Sequence, residues 1–224
     1  MTMILRAENI SKRYFRRTGQ ANYFEAVKPL SLALEPGSLT LLMGRSGGGK
    51  TTLLHMLSGL LTPTEGKVWL GDTDLYALPD ARLSRLRGEQ IGVVPQGRSA
   101  VDTLTVLENV LLPGQLCGRP AKQETALYWQ EALEIGNLAD ARPAALSGGE
   151  LRRMAIARVL TQDPQVILAD EPTGDLDDAS TRLVLSILQK AAHEQGKTVF
   201  VVTHENDARE YADRVYRMDG GSLS

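Results

Sequence analysis

Residues 44 to 51 read Gly-Arg-Ser-Gly-Gly-Gly-Lys-Thr and match the pattern G-x-x-x-x-G-K-[ST]. An apolar run at residues 39–43 precedes this stretch and predicts a buried strand. Glycines lack a Cβ and can take positive φ, so that successive backbone N–H groups face one concavity that binds an anion. Lys50 adds a positive charge for the β- and γ-phosphates, and Thr51 offers a hydroxyl to Mg²⁺. The stretch therefore predicts a phosphate-binding loop for a nucleoside triphosphate.

A helix is predicted directly after this loop, over residues 52–59, because apolar residues recur there at helical spacing. The helix N-terminus would lie under the phosphates and add a favourable dipole. A chance glycine turn is the alternative, and the full pattern between a strand and a helix argues against it. The apolar face of the helix would consist of Leu53, Leu54, Met56, Leu57 and Leu60. The candidate nucleotide contacts are Gly44, Arg45, Ser46, Gly47, Gly48, Gly49, Lys50, Thr51 and Thr52.

Two acidic residues follow a second apolar run. Residues 166–169 predict a buried strand, and Asp170 and Glu171 come directly after it. Asp170 would hold the Mg²⁺ shell, through water, as the acidic residue of a phosphate-loop site does. Because adjacent strand side chains alternate, we expect Glu171 to point the other way, where it could orient or deprotonate the attacking water. Two solvated carboxylates are the alternative, and the phosphate-binding loop favours the catalytic interpretation.

Composition excludes several classes of protein. The 224 residues suit one or two domains, and a hydrophobic content of 42% supports a core. The net charge is −2 without a long basic run, so no electrostatic footprint for nucleic acid is present. Cys117 is the single cysteine, which excludes an internal disulfide and fits a reducing cytoplasm. No signal peptide is indicated, and no apolar stretch approaches the ~20 residues that span a bilayer, so any membrane part would be another polypeptide.

The distribution of apolar residues predicts an α/β protein. From residue 97 to about 163 the spacing is helical, whereas the sequence on either side predicts a mainly parallel sheet with an N-terminal antiparallel β patch. Residues 11–25 are polar and basic and predict a loop. We therefore expect one domain over residues 1–224, with a catalytic core at 1–96 and 164–224 and an inserted helical subdomain at 97–163. The predicted strands are 4–10, 26–34, 39–43, 67–70, 91–94, 166–169, 198–202 and a short one within 215–223, with a helix at 181–193.

A second glycine-rich turn, Leu-Ser-Gly-Gly-Glu at residues 146–150, lies between the two sites. With it, the chain resembles the ATP-binding cassette (ABC) ATPases over almost its whole length. The resemblance implies a P-loop NTPase fold and Mg²⁺-dependent ATP hydrolysis. It also implies a catalytic, metal-contacting role for Gln96, a γ-phosphate contact for His204 and a nucleotide contact for Asp177. The adenine-stacking aromatic would be Tyr14, with Phe15 a close rival and a packing role open for either.

In the family that the chain resembles, two cassettes dimerise head to tail around ATP. The resemblance implies that the phosphate loop of one copy faces Ser147, Gly148 and Gly149 of the other. The serine would supply a hydroxyl, and the glycines would let the backbone approach the γ-phosphate. Glu150 stands where the family most often has glutamine, and we expect its charge to weaken dimer closure slightly while hydrolysis survives.

Residues 108–113 and 169–177 resemble one branch of this family. The branch includes macrolide exporters, the lipoprotein-release machinery and the cell-division ABC ATPase. It implies an ATPase subunit that forms a homodimer and is peripheral to the cytoplasmic face of the inner membrane. A separate integral membrane permease would use ATP-driven closure for export or mechanotransmission. The permease is expected to contact Gln96, residues 97–102 and Leu104.

Two other functions compete with this interpretation. A soluble, non-transport ABC ATPase acting on nucleic acid or ribosomes usually carries two cassettes or a large insertion, and neither is present here. A regulatory module that senses ATP without hydrolysing it is the other alternative. The presence of Lys50, Asp170, Glu171 and His204 argues against it.

Overall fold

The computed structural model describes residues 4–15 and 23–224, which form two β-sheets and six α-helices. The strands are β1 (Leu5–Phe15), β2 (Tyr23–Leu34), β3 (Ser38–Met43), β4 (Glu65–Leu70), β5 (Thr73–Asp74), β6 (Ile91–Val94), β7 (Val166–Asp170), β8 (Thr198–Thr203), β9 (Arg214–Asp219) and β10 (Ser222–Leu223). The helices are α1 (Lys50–Leu57), α2 (Asp80–Gln90), α3 (Val106–Leu116), α4 (Gln123–Ala132), α5 (Gly148–Thr161) and α6 (Asp178–His193). Short 3₁₀ segments lie at Leu75–Ala77, Gly136–Leu138, Pro143–Ala145 and Asp207–Tyr211.

The larger sheet has the strand order β10-β9-β3-β8-β7-β6. Strands β9, β3, β8, β7 and β6 run parallel, and β10 pairs antiparallel with β9. All residues of β7 and β8 are buried, as expected for parallel strands covered on both faces. Because the carboxyl ends of parallel strands meet at one edge, the segments after β3, β6, β7 and β8 converge there. This edge therefore collects the phosphate loop, Gln96, Glu171 and His204.

The smaller sheet is the predicted antiparallel patch, with the order β2-β1-β4-β5. The predicted loop at residues 11–25 was wrong in part, because β1 continues to Phe15 and β2 begins at Tyr23. Cross-strand pairing stabilises this polar stretch, because Nε of Arg13 on β1 lies 2.9 Å from Oε1 of Glu25 on β2. The middle of the predicted loop, residues 16–22, lies outside the described residues.

The helices α3, α4 and α5 occupy the stretch predicted to be helical and pack against one another. Two of them begin with a capping box, in which the N-cap hydroxyl and a glutamate three residues later satisfy each other's backbone N–H groups: Thr105 with Glu108, and Ser147 with Glu150. One hydrophobic cluster continues from β3, β7 and β8 into these helices. The sheet and the helices therefore share a core.

Other element boundaries differ from the sequence prediction. Helix α1 begins at Lys50 rather than at residue 52 and ends at Leu57, and Leu60 is 52% exposed, so Leu60 does not belong to the apolar face. Helix α6 begins three residues earlier than predicted because Asp177 caps it. Helix α2 was not predicted, since only Leu83 of its polar sequence is buried. Among the described residues, none of the helices has the length and apolar character needed to cross a membrane.

Candidate active site

Residues 44–49 join β3 to α1 and pack against the backbone of two neighbouring segments. Gly49 has φ +100°, and a Cβ built there would lie 2.1 Å from the carbonyl oxygen of Ala26. Gly44 has φ +155°, and its Cβ would lie 2.1 Å from the carbonyl oxygen of Met218. Both positions therefore require glycine for conformational and steric reasons.

We expect Gly49→Ala to lower the free energy of unfolding by about 2–4 kcal/mol, because left-handed strain and a backbone clash add together. The matched control is Gly47→Ala. Gly47 also has a positive φ of +77°, but a Cβ added there would have no neighbouring atom within 4 Å. The control is expected to cost about 1 kcal/mol. Thermal unfolding measures both, with a decrease in Tm of about 2–4 °C per kcal/mol. Equal decreases would show that the clash with Ala26 contributes nothing.

Lys50 is the first residue of α1, and it is 6% exposed. Its Nζ donates to the carbonyl oxygens of Gly44 at 2.7 Å and Arg45 at 2.9 Å. An ammonium carries three N–H donors, so one donor remains for another oxygen. The loop therefore holds a positive charge at its centre, which suits a phosphate group.

Asp170 ends β7 and is 2% exposed. Burial raises the pKa of its carboxyl, and a hydrogen bond with the Thr51 side chain opposes this shift. Its Oδ1 is buried and has no hydrogen-bond partner among the described residues. An unpartnered buried carboxylate oxygen is costly, and a cation such as Mg²⁺, which prefers oxygen ligands and keeps several waters, would satisfy it. The Asp170 carboxylate and the Thr51 hydroxyl thus fit the predicted Mg²⁺ site.

The described residues contain no cluster of three or more His, Cys, Asp or Glu side chains suited to a metal ion. This is compatible with Mg²⁺, which proteins commonly bind through one or two carboxylates together with substrate phosphates.

Glu171 follows β7 and faces the phosphate loop. Its N–H donates to the carbonyl oxygen of Val202 at 2.7 Å, and its Oε2 lies 3.1 Å from Nδ1 of His204. The sequence argument from strand alternation was wrong in its reason, because β7 ends at Asp170 and Glu171 adopts left-handed φ of +48°. This turn, rather than the pleat of a strand, directs the carboxylate. His204 follows β8, and its side chain is 64% exposed.

A cavity of about 280 Å³ brings together most of the predicted nucleotide contacts. Gly44, Arg45 and His204 line an adjacent groove of about 610 Å³ instead. The cavity is lined by Tyr14, Phe24, Ala26, Ser46, Gly47, Gly48, Gly49, Lys50, Thr51, Thr52, Gln96 and Glu171. Ten of these twelve residues were predicted, and Phe24 and Ala26 were missed.

The aromatic side chains near this cavity fall into two groups. Tyr14 on β1 lies opposite Phe24 on β2, and both line the cavity. Phe15 instead makes an edge-to-face contact with Tyr23, with ring centroids 5.6 Å apart, and does not line the cavity. The geometry thus favours Tyr14 over Phe15 as the base-stacking residue. Phe24 escaped sequence analysis because its segment was predicted to be a loop, and an extended β1–β2 pairing would have revealed it.

The second glycine-rich turn is not among the residues that line this cavity. Ser147 caps α5, where its N–H and its hydroxyl donate to Oε2 of Glu150 at 2.7 and 2.8 Å. These two bonds lower the pKa of the Glu150 carboxyl. Gly148 lines a separate cavity of about 300 Å³, together with Gln96 and Asp175. Gly149 lies against Asp175 and Leu176.

Asp177 has a structural role in this conformation. Its Oδ1 accepts from the N–H of Ser180 at 2.7 Å, which caps α6 and lowers the pKa of the Asp177 carboxyl. Within one chain, Asp177 and residues 147–149 therefore do not line the phosphate-loop cavity, although Gln96 lines both that cavity and the one beside Gly148.

A phosphate loop and a buried carboxylate at the carboxyl edge of a parallel sheet, with a glutamate–histidine pair beside them, define a P-loop nucleotide hydrolase. A family model for the ABC transporter family matches residues 27–174. The chain belongs to the ABC transporter family and is the ATP-hydrolysing subunit of such a transporter.

Curated relatives match over the full length of the chain. The lipoprotein-releasing system ATP-binding protein LolD of Aquifex aeolicus is 39% identical, covering 100% of this chain and 97% of the relative. The LolD protein of Myxococcus xanthus is 37% identical, covering 99% of this chain and 98% of the relative. These relatives confirm the branch of the family predicted from residues 108–113 and 169–177.

Solved structures agree with this assignment. MJ0796, a bacterial ABC transporter cassette with a solved dimeric structure, is 34% identical in sequence to this chain. The two structures superpose with a TM-score of 0.92, covering 98% of this chain and 96% of that one. A dimeric post-hydrolysis state of the same cassette, bound to ADP and Pi, has a TM-score of 0.91, with 98% and 97% coverage. The comparisons give no support to the alternative that acts on nucleic acid or ribosomes.

Proposed function

We propose that two copies of this chain enclose ATP between them and that hydrolysis drives a separate membrane permease. One observation carries the proposal: the phosphate-loop cavity is lined by only part of the predicted site, and Ser147, Gly148 and Gly149 of the same chain are not among its lining residues. A second copy would supply the missing part. The likeness to a cassette that crystallised as a dimer supports this arrangement.

The proposed roles follow from the contacts in the cavity. Lys50 binds the β- and γ-phosphates, and Asp170, Thr51 and Gln96 would hold Mg²⁺, which would neutralise charge on the phosphate oxygens. Glu171 accepts a proton from the attacking water while that water forms a bond to the γ-phosphorus. The bond between the γ-phosphorus and the β–γ bridging oxygen breaks, giving ADP and inorganic phosphate. His204 orients the Glu171 carboxylate through the contact between Nδ1 and Oε2 and approaches the γ-phosphate.

The permease is proposed to bind at Gln96, residues 97–102 and Leu104, at the cytoplasmic face of the membrane. The names of the LolD relatives, which belong to a lipoprotein-releasing system, support a permease of that type. Val101, in this segment, is 39% exposed, and the exposed ion pair between Arg98 and Asp102 lies beside it. We also propose that residues 97–163 form a helical subdomain between the two parts of the catalytic core.

Co-purification from detergent-solubilised membranes tests the permease proposal. The tagged chain is expected to enrich an integral membrane protein, and Val101→Glu is expected to reduce that enrichment. Val215→Glu is the matched control, because Val215 is 42% exposed on β9, away from this segment. The proposal fails if the wild-type chain never enriches a membrane protein.

The adenine contact gives a separate prediction. We expect Tyr14→Ala to raise the Kd for ATP about tenfold, because stacking of a base on an aromatic ring is worth about 1–3 kcal/mol. Phe15→Ala is the control, since Phe15 packs against Tyr23 rather than lining the cavity. Fluorescent-nucleotide titration measures both, with inorganic triphosphate as a competitor that lacks a base. A larger effect from Phe15→Ala would reverse the assignment.

A further inference from the structure

The segment that follows β6 is bonded to the helices α3 and α5 rather than left as a free loop. Arg158 of α5 donates to the carbonyl oxygens of Ser99 at 2.8 Å and Asn109 at 2.9 Å. The Asn109 amide donates to the carbonyl oxygens of Val101 at 3.0 Å and Leu104 at 3.2 Å, and its Oδ1 accepts from the N–H of Val101 at 2.8 Å. This segment is therefore positioned by the helices.

Arg152 makes the corresponding connection at the start of this segment. Its Nη1 donates to the carbonyl oxygen of Pro95 at 2.6 Å, and its Nη2 donates to that of Gln96 at 2.5 Å. A Cβ built on Gly174 would lie 3.9 Å from the same Nη2. One guanidinium thus joins α5 to the backbone of Gln96 and lies against the turn that follows Glu171.

Arg152 lies near the start of α5, and Ser147 is the N-cap of that helix. An α-helix rises about 1.5 Å per residue, so Arg152 and Ser147 are separated by about 7.5 Å along a rigid element. Gln96 lines the phosphate-loop cavity. Within one chain, Arg152 therefore connects the position of Gln96 at that cavity with the position of Ser147.

We propose that Arg152 is a positioning residue that couples the two ATP sites of the dimer. This inference rests on the proposed two-copy function, in which Gln96 contacts the nucleotide of its own chain and Ser147 contacts that of the partner copy. When Gln96 takes its position beside ATP, Arg152 fixes the orientation of α5 and presents Ser147 to the other nucleotide. Occupation of one site then favours closure of the other.

The test compares Arg152→Gln and Arg152→Lys with a matched control, Arg182→Gln. Arg182 is exposed on α6 and is outside the site. Three quantities are measured: ATP affinity at protein concentrations below dimerisation, the Hill coefficient and kcat of ATP hydrolysis, and Tm. A two-site enzyme with coupled sites has a Hill coefficient between 1 and 2.

We expect Arg152→Gln to leave the ATP affinity of the isolated chain within about twofold, to lower the Hill coefficient to about 1, and to lower kcat about tenfold. Arg152→Lys should retain part of the cooperativity, because an ammonium can still donate to one of the two carbonyl oxygens. The control should behave as wild type. If Arg152→Gln does not fold, the Hill coefficient of Arg152→Lys decides, and a value equal to that of wild type overturns the proposal.

Failure of this proposal can be told apart from failure of the two-copy function. A wild-type chain that hydrolyses ATP without cooperativity and without an ATP-dependent dimer would contradict the two-copy function itself. A cooperative wild type combined with an equally cooperative Arg152→Gln variant would overturn only the role of Arg152. A loss of ATP affinity in the isolated variant would also overturn it, because Arg152 would then act on its own cavity alone.

Discussion

Glu171→Gln is expected to reduce ATP hydrolysis by about 10²- to 10⁴-fold while ATP binding is retained, since general-base catalysis contributes a factor of that size. Glutamine has nearly the shape of glutamate but does not accept a proton at neutral pH. Glu171 lines the cavity of the phosphate loop, so replacing its carboxylate also removes a negative charge near the bound phosphates. Unhydrolysed ATP should therefore remain bound and hold two copies together.

Size-exclusion chromatography with Mg²⁺ and ATP measures this effect together with steady-state phosphate release. The variant is expected to elute as a dimer with ATP and as a monomer with ADP. Glu205→Gln is the matched control, because this nearby carboxylate accepts from the Thr173 hydroxyl at 2.7 Å and does not line the cavity. Unchanged hydrolysis in Glu171→Gln would remove Glu171 from the mechanism.

The parallel sheet and its carboxyl edge were predictable because each contributing segment carries a local signal. The apolar runs before residues 44, 95, 170 and 204 are strands in the structure, and the polar residues after them converge as expected. The end of β1 at Phe15 and the start of β2 at Tyr23 were not predictable from apolar periodicity, because the surrounding sequence is mostly polar. These residues are extended because β1 pairs with β2, with a hydrogen bond between Arg13 and Glu25 across the pair. The pattern of one segment alone does not contain this information.

The candidate site shows the same limit at the level of side chains. Motif spacing indicated which residues belong to the site, but not which residues hold them in place. The bonds from Arg152 to the backbone of Pro95 and Gln96 depend on tertiary geometry. The capping bonds between Ser147 and Glu150 are local, and their spacing of three residues could have revealed them. Glu150, which is expected to place a charge near the phosphates, also caps α5 with its carboxylate.

Mixing two inactive variants tests whether each site takes residues from both copies. Lys50→Ala is expected to raise the Kd for ATP about 10- to 100-fold, because a charge-assisted phosphate contact is lost. Gly148→Asp should fold, since its added Cβ meets only the Cβ of Asp175 at 3.8 Å and an acidic residue is favourable at a helix N-terminus. Its carboxylate would repel the γ-phosphate bound by the other copy. At an ATP concentration near the wild-type Kd, each variant alone should therefore have little activity.

An equal mixture of Lys50→Ala and Gly148→Asp should recover hydrolysis. Random pairing makes half of the dimers mixed, and one of the two sites in each mixed dimer combines a native phosphate loop with a native Ser147 turn, which sets an upper limit of about a quarter of wild-type activity. Coupling between the two sites would lower the recovered activity below this limit. The control mixture is Lys50→Ala with Glu171→Gln. These two residues line the same cavity of one chain, so both sites of their mixed dimer carry a defect and no recovery is expected. Recovery in both mixtures, or in neither, would contradict a site divided between two copies. Only such a division lets the Gly148→Asp variant restore activity to the Lys50→Ala variant while the Glu171→Gln variant does not.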